Sequence, residues 1–226
     1  MRAQTNPLHP ALLRLEADVI EAAPLDAVLN THPKSGFTCT ISEGDIRAAK
    51  LLATRNFTPV RRTVEGGWQG DPSAALPQLS YGTLAERPDL TKAWLAAHRQ
   101  HYFSTHAANP PAALAAHSWD EVFLGKDFSP EAAFYILDKN GIAAFSSLRK
   151  TAARWELAWF GTVPDSHSAF ARLNTGLIAQ ETAFMAANGI SEVLGEFDST
   201  NPDAMWRVKH SAPTCATVFQ TYHLKR

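Results

Sequence analysis

The chain places a carboxylate inside an apolar run, Val193-Leu194-Gly195-Glu196-Phe197. Strand alternation puts Val193, Gly195 and Phe197 on one face and Leu194 and Glu196 on the other. A charge in such a position is costly unless it is paired or used to move protons, so Glu196 is the first candidate for a general base. A structural ion pair with Arg149 or Arg207 is the competing reading. Glu156, nearer the start of the preceding strand, is the second candidate. Tyr222, in the closing stretch Phe219–Leu224, offers a hydroxyl for the general acid, against the plainer reading of a core tyrosine. His210 has the same chemistry but sits where a helix end favours a surface histidine. His98, His101, His106 and His117 gather around one helical stretch. The spacing His98-x-x-His101 suggests a metal, yet no Glu or Cys completes a ligand set, so no metal is expected and a solvated helix face is preferred. Trp94, Trp155 and Trp159 read as core.

The elements that must position these residues follow from periodicity. Leu8, Leu12, Leu15 and Val19 fall at helical spacing and predict a helix over Leu8–Ala23. Phe37–Ile41 reads as a strand, 43–55 as a helix opened by Ser42 and Asp45, and Phe57–Val64 as a strand after Asn56. Residues 66–78, dense in Gly and Pro, read as a linker. Beyond it come a strand at Leu79–Leu84 and helices at Pro88–Thr105 and Trp119–Leu124. Strands at Ala132–Leu137 and Ile142–Leu148 are joined through Asn140-Gly141, a pair suited to a turn with positive φ at both central positions. A strand at Trp155–Val163, a helix over 170–188, a strand at 192–198, a helix at 202–211 and a strand at 214–224 complete the order.

An internal repeat organises the chain. Asp45 and Ala48 are matched by Asn201 and Ala204 at one offset of 156. Each pair opens a short helix between two strands, and Asn201-Pro202 is a sufficient N-cap with proline at the first helical position. The first copy is preceded by little and the second by a meander of strands. The expected domains are therefore a partial unit at 1–65, the linker at 66–78 and a full domain at 79–226.

Hydrophobic residues make up 45% of the chain and charged residues 19%, which describes a globular protein rather than a disordered one. A formal charge of −1 without a run of Lys or Arg provides no attraction for nucleic acid. No stretch approaches the roughly 20 apolar residues of a membrane span, and the N-terminus does not read as a secretory signal. Cys39 and Cys215 read as small core residues in a reducing cytosol, so a cytoplasmic location is expected.

The order β-α-α-β-β-β-α-β-α-β over 79–226 predicts an α/β fold with a mixed central sheet. With its particular residues it resembles the GCN5-related N-acetyltransferase (GNAT) superfamily. Trp159-Phe160-Gly161-Thr162-Val163-Pro164-Asp165 is similar to the family's fourth strand and the turn to its cofactor helix. Glu196–Ala204 is similar to the fifth strand and next helix start, and Phe219–Leu224 to a closing strand. On this resemblance residues 8–65 form a partial GNAT-like α-β-α-β unit. The resemblance implies an acyl-CoA-dependent N-acyltransferase, most simply using acetyl-CoA or another acyl-CoA, acting on a small-molecule amine by direct transfer. It implies that backbone N–H near Thr162 or Val163 polarises the acyl carbonyl. It also implies that Ser166–Asn174 holds the pyrophosphate through His167, Ser168, Ala169 and Arg172, and that Asn201 contacts the pantetheine arm. The family's pyrophosphate turn carries glycines, and this stretch has none. The family's acid, a tyrosine on the helix after the fifth strand, is replaced by Val208, with Tyr222 as substitute. The first helix of the full domain lines the family's acceptor pocket, so Tyr102, His98 or His101 would touch substrate. The alternative implied by the glycine-free turn is a GNAT-like domain without catalysis, serving binding or assembly. Sheet edges left by a half-repeat would allow a homodimer.

Overall fold

The computed structural model describes residues 1–76, 78–163 and 169–226. Its backbone is one sheet of ten strands in the order β1-β2-β3-β10-β4-β9-β8-β7-β6-β5. The strands are β1 (Arg2–Asn6), β2 (His9–Glu16), β3 (Gly36–Ser42), β4 (Thr58–Trp68), β5 (Tyr81–Thr83), β6 (Ala133–Asp138), β7 (Gly141–Lys150), β8 (Trp155–Thr162), β9 (Val193–Asp198) and β10 (Thr214–Leu224). The helices are α1 (Ala22–Thr31), α2 (Ile46–Thr54), α3 (Thr91–Thr105), α4 (Ala116–Leu124), α5 (Phe170–Ala187) and α6 (Pro202–His210). Only β2/β3 and β8/β9 pair in parallel.

Alternation along the strands makes two faces. Phe37, Cys39 and Ile41 of β3 and Leu224 of β10 pack with Leu25 and Leu29 of α1 and Ala48 and Leu52 of α2. On the same side, Val64, Trp68, Leu157, Val193 and Phe197 pack with Leu173, Leu177 and Ile178 of α5 and Ala204 of α6. On the opposite side, α3 and α4 close over β6 and β7 through Trp94, Trp119, Phe123, Tyr135 and Phe145. The centre of that opposite face, over β3, β10, β4 and β9, is left as a cleft.

The helix expected over Leu8–Ala23 is instead the hairpin β1/β2 followed by α1. Leu13 and Leu15 of β2 pack into the α1/α2 core, and Leu12 on the other face lies against Gly36 and is 7% exposed, whereas Pro10 and Arg14 on that face are exposed. The helix-like spacing joins Leu12 and Leu15 on opposite faces of the strand with Leu8 in the turn before it and the exposed Val19 after it. Gly66-Gly67-Trp68, expected in the linker, extend β4, where they oppose Gly195, Leu194 and Val193. The β6/β7 hairpin forms, but Asp138 pairs with Gly141, so Lys139-Asn140 are its central residues and only Gly141 takes positive φ, 122°. Cys39 is buried as expected, whereas Cys215 is exposed.

Helices α2 and α6, and strands β4 and β10, begin and end at positions related by the same offset. Asp45 caps α2 by accepting from the Ala48 N–H, and Asn201 caps α6 by accepting from the N–H groups of Asp203 and Ala204. The closing strands are exchanged: β10 pairs with β3, and β4 pairs with β9. The registers correspond, because Phe219 opposite Ser42 in one ladder becomes Thr63 opposite Asp198 in the other. Between them β4 and β10 pair with each other, Thr63 directly opposite Phe219.

Candidate active site

Strands β8 and β9 pair at only two places, Glu156 with Leu194 and Leu157 with Gly195. Beyond these residues they part, and the cleft opens between Ala158, Trp159 and Phe160 on one side and Glu196 and Asp198 on the other. Its volume is about 640 Å³. The floor runs across β9, β4, β10 and β3, and the roof is the C-terminal half of α3.

The floor carries three carboxylates. Asp198 is paired: Arg61 Nη1 lies 3.0 Å from its Oδ2, and the Thr63 hydroxyl donates to Oδ1. Glu196 lies directly opposite Glu65 on β4, and neither carboxylate has an ion-pair or hydrogen-bond partner among the described residues. Opposed like charges on neighbouring strands repel. The walls of the cleft withdraw water from Glu196 and Asp198 adds negative charge, so its pKa is raised, with Arg61 opposing. Under the offset of the repeat, Glu65 and Glu196 correspond to Thr221 and Thr40, whose hydroxyls are hydrogen-bonded at 2.9 Å. One half of the floor is thus acidic where the other is neutral.

Above the floor, Tyr102 donates its hydroxyl proton to His9 Nε2 at 2.7 Å. The tautomer follows from the other ring nitrogen, since His9 Nδ1 faces the Asn109 carbonyl at 2.8 Å and must carry a proton. Burial raises the Tyr102 pKa to about 12. His106 stacks on Tyr102, donates from Nδ1 to the Tyr102 carbonyl, and burial lowers its pKa to about 4.

Of the residues expected from sequence, the cleft brings together Glu196, Asn201, Tyr102, His98 and His101. Glu196 is open to the cleft rather than sealed in the sheet, and neither competing partner reaches it: Arg149 pairs with Glu156, and Arg207 with Glu181. Tyr222 lies on the other face of β10 against the α1/α2 core, because Thr221 and His223 take the cleft side. His98 borders the cleft but is 2% exposed, ringed by Trp94, Phe123 and Phe145. With His101 also buried, the expected solvated histidine face does not form. The Val163 N–H is taken by the Ala143 carbonyl, and Thr162 is buried with its hydroxyl toward Asp203. Antiparallel alternation then turns the N–H groups of Phe160 and Thr162 away from β7. Of these two, Phe160 borders the cleft. His167 and Ser168 lie outside the described residues. Ala169 is the N-cap position of α5, without a side-chain cap, and Arg172 is exposed on the first turn. Val208 packs on the α5/α6 core.

Residues Glu65, Arg61, Thr63 and His9 were not singled out from sequence. Glu65 ends the first copy of the repeat, and carrying β4 past Val64 would have placed it beside Glu196. His9 was hidden by the misread helix.

A protein described as a GCN5-related N-acetyltransferase from Sphaerobacter thermophilus superposes on this backbone with a TM-score of 0.59 over 88% of the chain. The fold is GNAT-like. The identity is 15%, and the chain spans 63% of the length of that protein. A conserved protein of unknown function from Staphylococcus epidermidis also superposes on it, with a TM-score of 0.54, 7% identity, and coverage of 89% of this chain and 77% of its own. No family model matches the chain, and no curated protein matches it in sequence. Among the described residues no helix is long and apolar enough to cross a membrane.

Proposed function

We propose that the chain is an acyl-CoA-dependent N-acyltransferase acting on a small amine by direct transfer. The observation that carries the reading is the parting of β8 and β9 beyond Leu157 and Gly195, with Glu196 facing the opening. An acyl thioester, most simply acetyl-CoA, would supply an electrophilic carbonyl carbon. The residues present fit it: the Phe160 N–H turns from β7 toward the opening, and Asn201 stands at its rim. At the N-terminus of α5, the helix dipole and Arg172 favour an anion such as a pyrophosphate.

The unpartnered pair Glu65 and Glu196 attracts an ammonium group and stabilises it in the cleft. Glu196, with its pKa raised, takes the proton that the ammonium must lose before its nitrogen can attack. A hydrogen bond from the Phe160 N–H would stabilise negative charge growing on the carbonyl oxygen. Calorimetric titration with acetyl-CoA tests the reading: micromolar to sub-millimolar binding is expected. No binding at millimolar concentration would sink it in favour of a domain that only binds or assembles. With binding established, Glu196→Gln should lower turnover of a primary amine about 10²-fold, and unchanged turnover would remove Glu196 as the base.

A further inference from the structure

We infer that His101 is the proton carrier of the transfer step, a role that rests on the function proposed above. His101 belongs to α3, borders the cleft and is 7% exposed. Its Nδ1 lies 3.1 Å from the Thr162 carbonyl oxygen, which can only accept, so Nδ1 carries the proton. Asp203 Oδ2 stands 3.8 Å from the same nitrogen. That carboxylate is itself 1% exposed and fixed by Asn174 Nδ2 at 2.7 Å and Thr162 Oγ1 at 3.4 Å. The proton on Nδ1 leaves a lone pair on Nε2, and Nε2 is buried without a hydrogen-bond partner among the described residues.

Leaving such an atom unpaired is costly in a merely structural residue. His98, one turn earlier, also has unpaired nitrogens, but it is enclosed by aromatic rings and has neither orienting carbonyl nor carboxylate. Gly161 accommodates the His101 ring: a Cβ there would stand 2.5–2.6 Å from three of its atoms. The ring therefore lies against β8 beyond the point where that strand leaves β9.

The role completes the proton balance. Glu196 takes one proton from the incoming ammonium. As the amine nitrogen bonds to the acyl carbon, its next proton passes to His101 Nε2. As the carbon–sulfur bond breaks, His101 gives that proton to the departing thiolate, leaving an amide and a free thiol. The ring returns to its first form, and the proton on Glu196 leaves to water. The Thr162 carbonyl holds the tautomer, and the Asp203 carboxylate stabilises the ring while it carries the second proton. Neither residue at the positions that the resemblance offers for the acid supplies the thiolate's proton, because Tyr222 faces away and Val208 has none to give.

Two measurements test the inference. In the free protein, nitrogen-15 shifts of the labelled imidazoles should show His101 protonated on Nδ1. A ring protonated on Nε2 would overturn the role, since it has no lone pair to offer. With acetyl-CoA and primary amines, 1,4-diaminobutane and hydroxylamine among them, thiol release should fall about 10²-fold or more in both His101→Asn and His101→Gln. Acetyl-CoA affinity should stay within threefold. Turnover within threefold of the unsubstituted chain in either variant overturns the role of His101 alone. Failure of the unsubstituted chain to bind acetyl-CoA overturns the function and this role together. Should both variants fail to fold, the tautomer of the unsubstituted protein still decides.

Discussion

Glu181→Gln is expected to destabilise the protein more than any surface change. Glu181 on α5 and Arg207 on α6 are both 0% exposed and meet in a two-pronged pair, with Nη1 2.7 Å and Nη2 3.0 Å from the two carboxylate oxygens. The guanidinium also lies 4.2 Å from the centre of the Phe160 ring and 5.5 Å from that of Trp68. Neutralising the carboxylate leaves a guanidinium in a dry interior, and breaking one side of such a pair costs about 3–5 kcal/mol. For a chain of this length each kcal/mol lowers the midpoint by about 2–4 °C, so a fall of roughly 6–20 °C is expected in a thermal melt followed by circular dichroism. The double variant Glu181→Leu with Arg207→Met leaves no orphaned charge and should recover most of the loss. A single variant within about 2 °C of the parent, or a double variant less stable than the single, would refute the reasoning.

The acidic limb of turnover should lie at higher pH than for an ordinary carboxylate, because Glu196 must be ionised and its pKa is raised. The rate falls as pH drops through that value, and a pH–rate profile of Glu196→Gln should lack the limb. His106 and His223 each have a pKa lowered from 6.5 to about 4, chiefly by burial. The unfolded chain therefore binds more protons than the folded one between those values. Urea midpoints should be level above pH 7, fall from about 6.5 to 4, and fall less in His223→Gln. Asp45→Ala and Asn201→Ala should each cost about 1 kcal/mol by denaturant titration as lost caps. Only Asn201→Ala should also weaken acetyl-CoA binding. Tyr222→Phe should leave turnover unchanged, since its ring packs on the face away from the cleft.

What could be read from sequence was what local physics decides. The long helix α5, the capped starts of α2 and α6, and the meander from β6 to β8 follow from periodicity, caps and turn residues. Strand β2 was misread because Leu12 and Leu15 sit on its opposite faces, so that with Leu8 and Val19 their spacing imitates a helical stripe. Glu196 stood out because it interrupts an apolar run. His101 could be named but not assigned, because its partners, Thr162 and Asp203, reach it only through the packing of α3 against β8 and α6. The face taken by Tyr222 depended on the register of β10 with β3 and β4, which no local pattern records.

The exchange of β4 and β10 has a consequence for how the protein comes into being. Each half of the sheet is closed by a strand that the other half supplies, so neither can seal its own ladder. Strand β3 must wait, its edge unsatisfied, for a partner that lies most of the chain away, as Ser42 opposite Phe219 shows. Such distant pairing makes folding slow. While it waits, the same gap can be filled by β10 of another molecule, giving an interlocked pair of chains with the ladders intact. Nascent chains held at high concentration should pass through that tangle, and dilution during refolding should spare them it.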